Sequence, residues 1–266
     1  MDDTILYEVD ERVAVVTLNR PEKLNAITPT LQRELLAALR RAAEDESVRV
    51  AVVRGAGRGF CAGYDVTSGE MAARGVPADR QQLEAVVRGW LEIWDLPLPV
   101  VAQVHGVCLA GGTQLAAICD ITIAADDARV GTPQLPLGAG YVASFWAWFV
   151  GPKKAKEVFF ETGATISADE AVAMGLFNRV VPAASLDDEV RSYARAVARQ
   201  PKDLLALQKL AINRTQEAQG FRQALLQGAE VDAIAHASPA VKAVNRHIAE
   251  YGLKESLAAF RRGDLV

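Results

Sequence analysis

A chain of 266 residues, 50% of them apolar, is long enough for one large domain with a substantial core. Its formal charge of −4 offers no electrostatic basis for binding nucleic acid. No stretch approaches the ~18 apolar residues of a membrane span, and Met1-Asp2-Asp3 opens no signal-peptide pattern. The cysteines, Cys61, Cys108 and Cys119, lack metal spacing and favour a reduced, cytoplasmic protein over a disulfide framework.

In chain order, residues 5–9 and 12–18 flank Asp10-Glu11 and predict a β-hairpin, which Asn19-Arg20-Pro21 ends. Thr28-Pro29 opens a helix, threonine as cap and proline in the first turn, with Leu31, Leu35, Ala38, Leu39 and Ala42 as its apolar face. A buried strand at 49–53 runs into a glycine-rich loop. Residues 66–80, with Gly69, Gly75 and Pro77, read as a mobile loop; residues 81–94 read as a helix ended by Pro97 and Pro99. A strand at 100–104 runs into a second glycine-rich loop, a helix at 114–119 and a strand at 121–124. Strand, turn and helix thus recur three times before residue 125, which is α/β alternation. From Pro152 the chain turns helical, and Ser185 with Asp188 reads as a capping box. After Gln200-Pro201, helices are expected at 202–213, 217–235 and 239–251, with a short piece to Phe260. That change of composition divides the chain into a core, 1–200, and a helical region, 201–266, whose apolar positions need cover from its own core or from another subunit.

The two glycine loops carry the chemistry. One reads Gly55-Ala56-Gly57-Arg58-Gly59-Phe60-Cys61-Ala62-Gly63-Tyr64-Asp65 and the other His105-Gly106-Val107-Cys108-Leu109-Ala110-Gly111-Gly112-Thr113-Gln114. Glycine lets backbone N–H groups turn sharply toward a ligand, and the second loop ends at a helix N-terminus. Two such loops can aim two donors at one oxygen, as an oxyanion hole does.

These loops, with Asn19-Arg20-Pro21 and Asn25-Ala26 before them, Cys119-Asp120-Ile121 and Ala124-Ala125-Asp126-Asp127-Ala128 after them, and Gly175-Leu176-Phe177-Asn178-Arg179-Val180-Val181 further on, resemble the crotonase (enoyl-CoA hydratase/isomerase) superfamily over nearly the whole chain. The resemblance implies an α/β spiral of ββα units with a C-terminal helical region that builds a homotrimer or a dimer of trimers. It implies an acyl-CoA thioester as substrate, with no cofactor beyond its CoA moiety. The thioester oxygen then faces the N–H groups of Tyr64 and Gly111, and CoA meets Lys23, Leu24, Ala26, Ala62, Tyr64 and Asp65.

The acid/base positions depart from the hydratase pattern. The two glutamates that family hydratases use correspond to Gln114 and Gln134. An amide donates and accepts hydrogen bonds but takes no proton near neutral pH, and general acid–base catalysis is worth about 10²–10⁴-fold. Ordinary water addition is therefore disfavoured; decarboxylation, isomerisation or hydrolysis of a bulky acyl-CoA fits better, and a non-catalytic acyl-CoA-binding trimer is the alternative. Tyr141 stands where some family decarboxylases place a tyrosine, and is either a proton donor or a lining residue. Trp146, Trp148 and Phe149 form either a bulky acyl pocket or a helix core. Glu70, Asp79, Glu84 and His105 are substitute acid/base candidates, each with a surface or structural alternative, and no metal-ligand cluster is visible.

Overall fold

The structure, a computed structural model, describes residues 4–66 and 75–265. The chain opens with a hairpin of β1 (Ile5–Asp10) and β2 (Val13–Leu18), whose two-residue turn holds Glu11 and Arg12 at φ 45° and 70°. Helix α1 (Pro29–Glu44) starts where Thr28 Oγ1 accepts from Leu31 N at 3.1 Å, and it buries Leu31, Leu35, Leu39 and Ala42.

Three strand pairs then repeat one pattern. They are β3 (Val50–Gly55) with β4 (Gly59–Cys61), β5 (Val100–Val104) with β6 (Val107–Leu109), and β7 (Ile121–Ala125) with β8 (Arg129–Gly131). The first strand of each pair joins a large sheet of order β1-β2-β3-β5-β7-β10, with β10 at Arg179–Val181. The second joins a small sheet of order β4-β6-β8-β9, with β9 at Thr165–Ser167. A helix follows each pair: α2 (Val76–Asp95), α3 (Gly111–Ile118) and α4 (Ala143–Phe159). The short strands β4 and β6 lie within the glycine loops, and all three second strands have three residues, too few for alternation to reveal them.

The large sheet is parallel apart from its hairpin and is covered on both faces, so its strands are apolar throughout. Ala51 and Val53 face the main core with α1 and α2, while Val50 and Val52 face α6 (Leu186–Val197). Helix α5 (Ala168–Ala173) carries the capping box, in which Ser167 and Glu170 exchange bonds. Ser185 makes no such bond; it sits in a 3-10 turn, Ala183–Ser185, that precedes α6.

Helix α2 begins at Val76, inside the segment read as a loop, because Pro77 occupies the first turn, where its missing N–H costs nothing. Helix α4 begins at Ala143, well before Pro152, and Gly151 at φ 78° breaks it just ahead of that proline. The C-terminal helices are α7 (Lys202–Ala218), α8 (Phe221–His236) and α9 (Pro239–Arg262), the last kinked at Gly252. Helix α8 sets Phe221, Leu225 and Ala229 into the main core, and the Phe221 ring lies 4.4 Å from that of Trp94 on α2. Among the described residues no helix is long and apolar enough to cross a membrane.

Candidate active site

Pairing of β4 with β6 sets the two glycine loops side by side. After β4, Gly63 turns the chain at φ 99°; a methyl there would lie 2.8 Å from Ala110 Cβ and 3.2 Å from Gly111 N, so only glycine allows this approach. Tyr64 then pairs with Ile27 in a parallel bridge, in which Ile27 N donates to Gly63 O at 2.7 Å and Asp65 N to Ile27 O at 2.9 Å. In such a bridge the middle residue's own N–H and C=O point to the opposite edge, so the Tyr64 N–H stays out of the pairing.

In the second loop Ala110 is held at φ 47°, ψ −119°, a conformation costly for a residue with a side chain. This turn presents Gly111 as the first residue of α3, whose N–H has no intrahelical acceptor. Thr113 N and Oγ1 both donate to Ala110 O, at 2.9 and 2.7 Å, and lock the turn. Two backbone donors on adjoining segments, neither with an acceptor among the described residues and one at a helix N-terminus, are suited to holding negative charge on a carbonyl oxygen.

Beside them lies a closed group of polar side chains. The edge of the Tyr64 ring rests on Gly111, where an added methyl would meet ring carbons at 2.6–3.0 Å. Tyr64 Oη donates to Gln114 Oε1 at 2.6 Å, and Gln114 Nε2 donates to the Tyr141 carbonyl at 2.8 Å. Trp90 Nε1 donates to Tyr64 Oη at 2.9 Å, and the hydroxyls of Tyr64 and Tyr141 lie 3.1 Å apart. Tyr64 has one proton, which Gln114 takes, so Tyr141 donates to Tyr64. Gln114 has 0% exposure and Tyr141 5%. Burial pushes both phenols above their ordinary range and nearby Asp232 adds to the effect, while the bonds that Tyr64 accepts pull its value back. Both phenols are therefore neutral donors at physiological pH.

The turn that carries Tyr141 is held from α8. Asp232 Oδ1 accepts from the N–H groups of Ala139, Gly140 and Tyr141 at 2.5, 2.9 and 3.3 Å. Its other oxygen lies 3.5 Å from His236 Nε2, and His236 Nδ1 lies 2.6 Å from Asp79 on α2.

The structure thus brings Tyr64, Gly111, Gln114 and Tyr141 together and leaves other candidates elsewhere. Gln134 Nε2 donates to Gly163 O at 3.3 Å and, among the described residues, makes no hydrogen bond to the Tyr64 cluster. His105 Nε2 lies 3.0 Å from the Gly57 carbonyl. Glu84 pairs with Arg80 and Arg88 on the surface of α2, and Asp79 is spent on His236. Glu70 lies outside the described residues. Trp146 is fully buried with its indole N–H on Thr113 Oγ1, Trp148 donates to Gln216, and Phe149 packs on Phe221. These aromatics are helix packing, so they give no reason to expect a bulky acyl group.

Lys23, Leu24, Ala26, Ala62 and Asp65 do lie on one joined surface. Ala62 N donates to Leu24 O at 2.9 Å, Arg20 donates to Ala26 O, and Arg20 pairs with Asp65 at 3.1 Å. Asn25, buried between these segments, donates to the carbonyls of Ala56, Gly59 and Phe60.

The family profile described as enoyl-CoA hydratase/isomerase matches residues 8–246. The chain belongs to that family. A putative enoyl-CoA hydratase/isomerase of Novosphingobium aromaticivorans superposes at a TM-score of 0.92 with 33% identity, over 98% of this chain and 99% of the other. An enoyl-CoA hydratase/isomerase of Xanthobacter autotrophicus gives 0.90 and 38%, over 96% of each chain. An enoyl-CoA hydratase of Mycobacterium smegmatis gives 0.88 and 35%, over 95% and 91%. The two-sheet spiral is therefore the crotonase fold of this enzyme family.

Sequence reasoning missed three residues of the site's surroundings: Trp90, Asp232 and His236. A signal existed for two of them. Asp232 and His236 continue the buried stripe of Phe221, Leu225 and Ala229, and an acid and a histidine on such a stripe require buried partners.

Proposed function

We propose that this family member acts on an acyl-CoA thioester, that the Tyr64 and Gly111 N–H groups hold negative charge on the thioester oxygen, and that simple hydration is not its reaction. The observation that carries this is Gln114. It is an amide, and both its ends are committed, one to the Tyr64 hydroxyl and one to the Tyr141 carbonyl. It neither takes nor gives up a proton as an acid or base near neutral pH, and Gln134 is likewise an amide. Decarboxylation, isomerisation and hydrolysis remain, since an oxyanion hole serves each of them. In this reading Lys23, Leu24, Ala26, Ala62 and Asp65 hold the CoA moiety, no further cofactor takes part, and the protein works in a reducing, cytoplasmic compartment that suits its free, buried cysteines.

A homotrimer or a dimer of trimers is part of the proposal. Leu204, Leu207, Leu210 and Ile212 on α7, with Val231 and Ile234 on α8, are exposed apolar positions that a neighbouring subunit would cover. A second reading, a non-catalytic acyl-CoA-binding trimer, draws support from the mutual satisfaction of the Tyr64, Trp90, Gln114 and Tyr141 side chains.

Calorimetry with acyl-CoAs, turnover of the same panel, and light scattering test these readings. Binding with turnover of a compound other than an enoyl-CoA supports the first, and binding without any turnover supports the second. Hydration of crotonyl-CoA at kcat/KM near ~10⁷ M⁻¹s⁻¹ would refute the reading of the glutamines. A monomeric mass at micromolar concentration contradicts the assembly.

A further inference from the structure

We propose that His236 is a positioning residue of the candidate site: braced by Asp79 on α2, it holds the Asp232 carboxylate in the orientation that shapes the turn at 138–141, and through that turn it places Tyr141 against Tyr64. This goes beyond the acyl-CoA reading and holds for any reaction at the site.

The cluster is buried and drawn from separate elements. Asp232 and His236 stand one turn apart on α8, and Asp79 lies in the first turn of α2. The side chains of His236, Asp79 and Asp232 are only 10%, 5% and 7% exposed. A carboxylate only accepts, so His236 Nδ1, 2.6 Å from Asp79 Oδ2, carries a proton and donates. That bond fixes the ring and turns Nε2 toward Asp232 Oδ2, 3.5 Å away. The terminal torsion of an aspartate has no steep preference of its own. The N–H groups of Ala139, Gly140 and Tyr141 all bind Oδ1, so they leave the plane of the carboxylate open. The contact of His236 on Oδ2 closes it.

The turn has no slack in which a change could be lost. A methyl on Gly138 would lie 2.5 Å from Asp232 Oδ1, and one on Gly140 would lie 2.9 Å from both Gly228 O and Val231 Cβ on α8. Packing this close transmits a displacement instead of absorbing it. Tyr141 commits each of its polar groups to a different element: its N–H to Asp232, its C=O to Gln114 on α3 and its hydroxyl to Tyr64 after β4. A shift of the turn is therefore felt at the Tyr64 oxygen, which also accepts from Trp90 Nε1. Helices α2 and α8 have ties of their own, Arg80 with Glu230 at 3.7 Å and the Trp94 ring on Phe221. Loss of His236 thus leaves the helices docked and frees the carboxylate.

The test uses the full chain labelled with ¹⁵N at tyrosine and tryptophan. No substrate enters it, so its outcome is separate from that of the acyl-CoA reading. Hydrogen exchange is followed at the Tyr141 amide, and the position of the indole signal at Trp90. The references are the Tyr193 amide within α6 and the Trp146 indole, which donates to Thr113 Oγ1. In His236→Ala the Tyr141 amide is expected to exchange about tenfold faster and the Trp90 indole signal to move, with both references as in the native protein. Two conservative variants each keep a donor at one ring position. His236→Gln keeps one near Nε2, facing Asp232, and is expected to stay within about threefold of the native rate. His236→Asn keeps one near Nδ1, facing Asp79, and is expected to behave as His236→Ala does. This pair decides the matter if His236→Ala fails to fold. An unchanged Tyr141 amide in His236→Ala, or equal rates in His236→Gln and His236→Asn, would overturn the inference. So would equal acceleration at the references, which would mark His236 as a general stabilising residue.

Discussion

Replacing Gln114 by glutamate alters one hydrogen-bonding atom at a fully buried position. The Nε2 that donates to the Tyr141 carbonyl over 2.8 Å becomes an oxygen. If the new carboxyl is ionised, two acceptors face each other and the carbonyl is left unpartnered, which costs about 1–3 kcal/mol, and burial of the charge adds to this. If it is protonated, its O–H donates to the same carbonyl and the loss is small. A penalty of about 3 kcal/mol on the ionised form equals a rise of about two pKa units, from about 4.3 to about 6.5. The folded form then binds the proton more tightly than the unfolded chain. The variant's relative stability is therefore fully present below about pH 4.3 and is lost as pH rises through about 6.5. Urea unfolding of both proteins between about pH 5 and pH 8 measures this. The difference between them is expected to grow from under ~1 to ~3 kcal/mol across that range. A difference independent of pH would refute the assignment of Nε2 to the Tyr141 carbonyl, and with it the proton count of the whole cluster.

Gly111→Ala forces a methyl into the Tyr64 ring at 2.6 Å; a loss of about 1–3 kcal/mol is expected, and adding Tyr64→Ala should give less than the sum of the two single losses in urea unfolding. Lys209 donates to the carbonyls of Ile93 and Leu98 and pairs with Asp120 at 2.8 Å. Lys209→Met leaves the partly buried Asp120 carboxylate with the Val100 N–H at 2.7 Å but no cation, and chemical denaturation should register a loss of about 1–3 kcal/mol. The three cysteine thiols are buried, and burial pushes Cys61 up to about 12 and the other two upward as well. A disulfide reagent at about pH 8 should find no thiolate in the folded protein and react freely in urea.

What the sequence made readable was whatever local pattern decides. Thr28 and Pro29 cap α1 as their types predict, and the strand at Val100–Val104 follows from two prolines and a β-branched run. The two glycine-rich turns were legible because glycine is the only residue that fits Gly63 against Ala110. The side-chain cluster was not. The Tyr64 hydroxyl meets partners 26, 50 and 77 residues away, and no spacing rule reports such encounters. The error at Ser185 is local instead. Its pattern fits a capping box, but the 3-10 turn before α6 places the serine in helical rather than extended backbone, at φ −104°, ψ −3°.

The anchor that Asp232 provides also bears on the order in which the protein is made. The turn at 139–141 is held by an oxygen 91–93 residues further along the chain. At ~5–20 residues per second of synthesis, that carboxylate leaves the ribosome seconds after the turn does. During this interval β1 to β8 and both glycine loops are free to pair and β9 and β10 follow, while the Tyr141 N–H still lacks its acceptor on α8. The glycine-loop half of the candidate site is thus synthesised early in the life of the chain, and the turn that carries Tyr141 is fixed only when α8 docks.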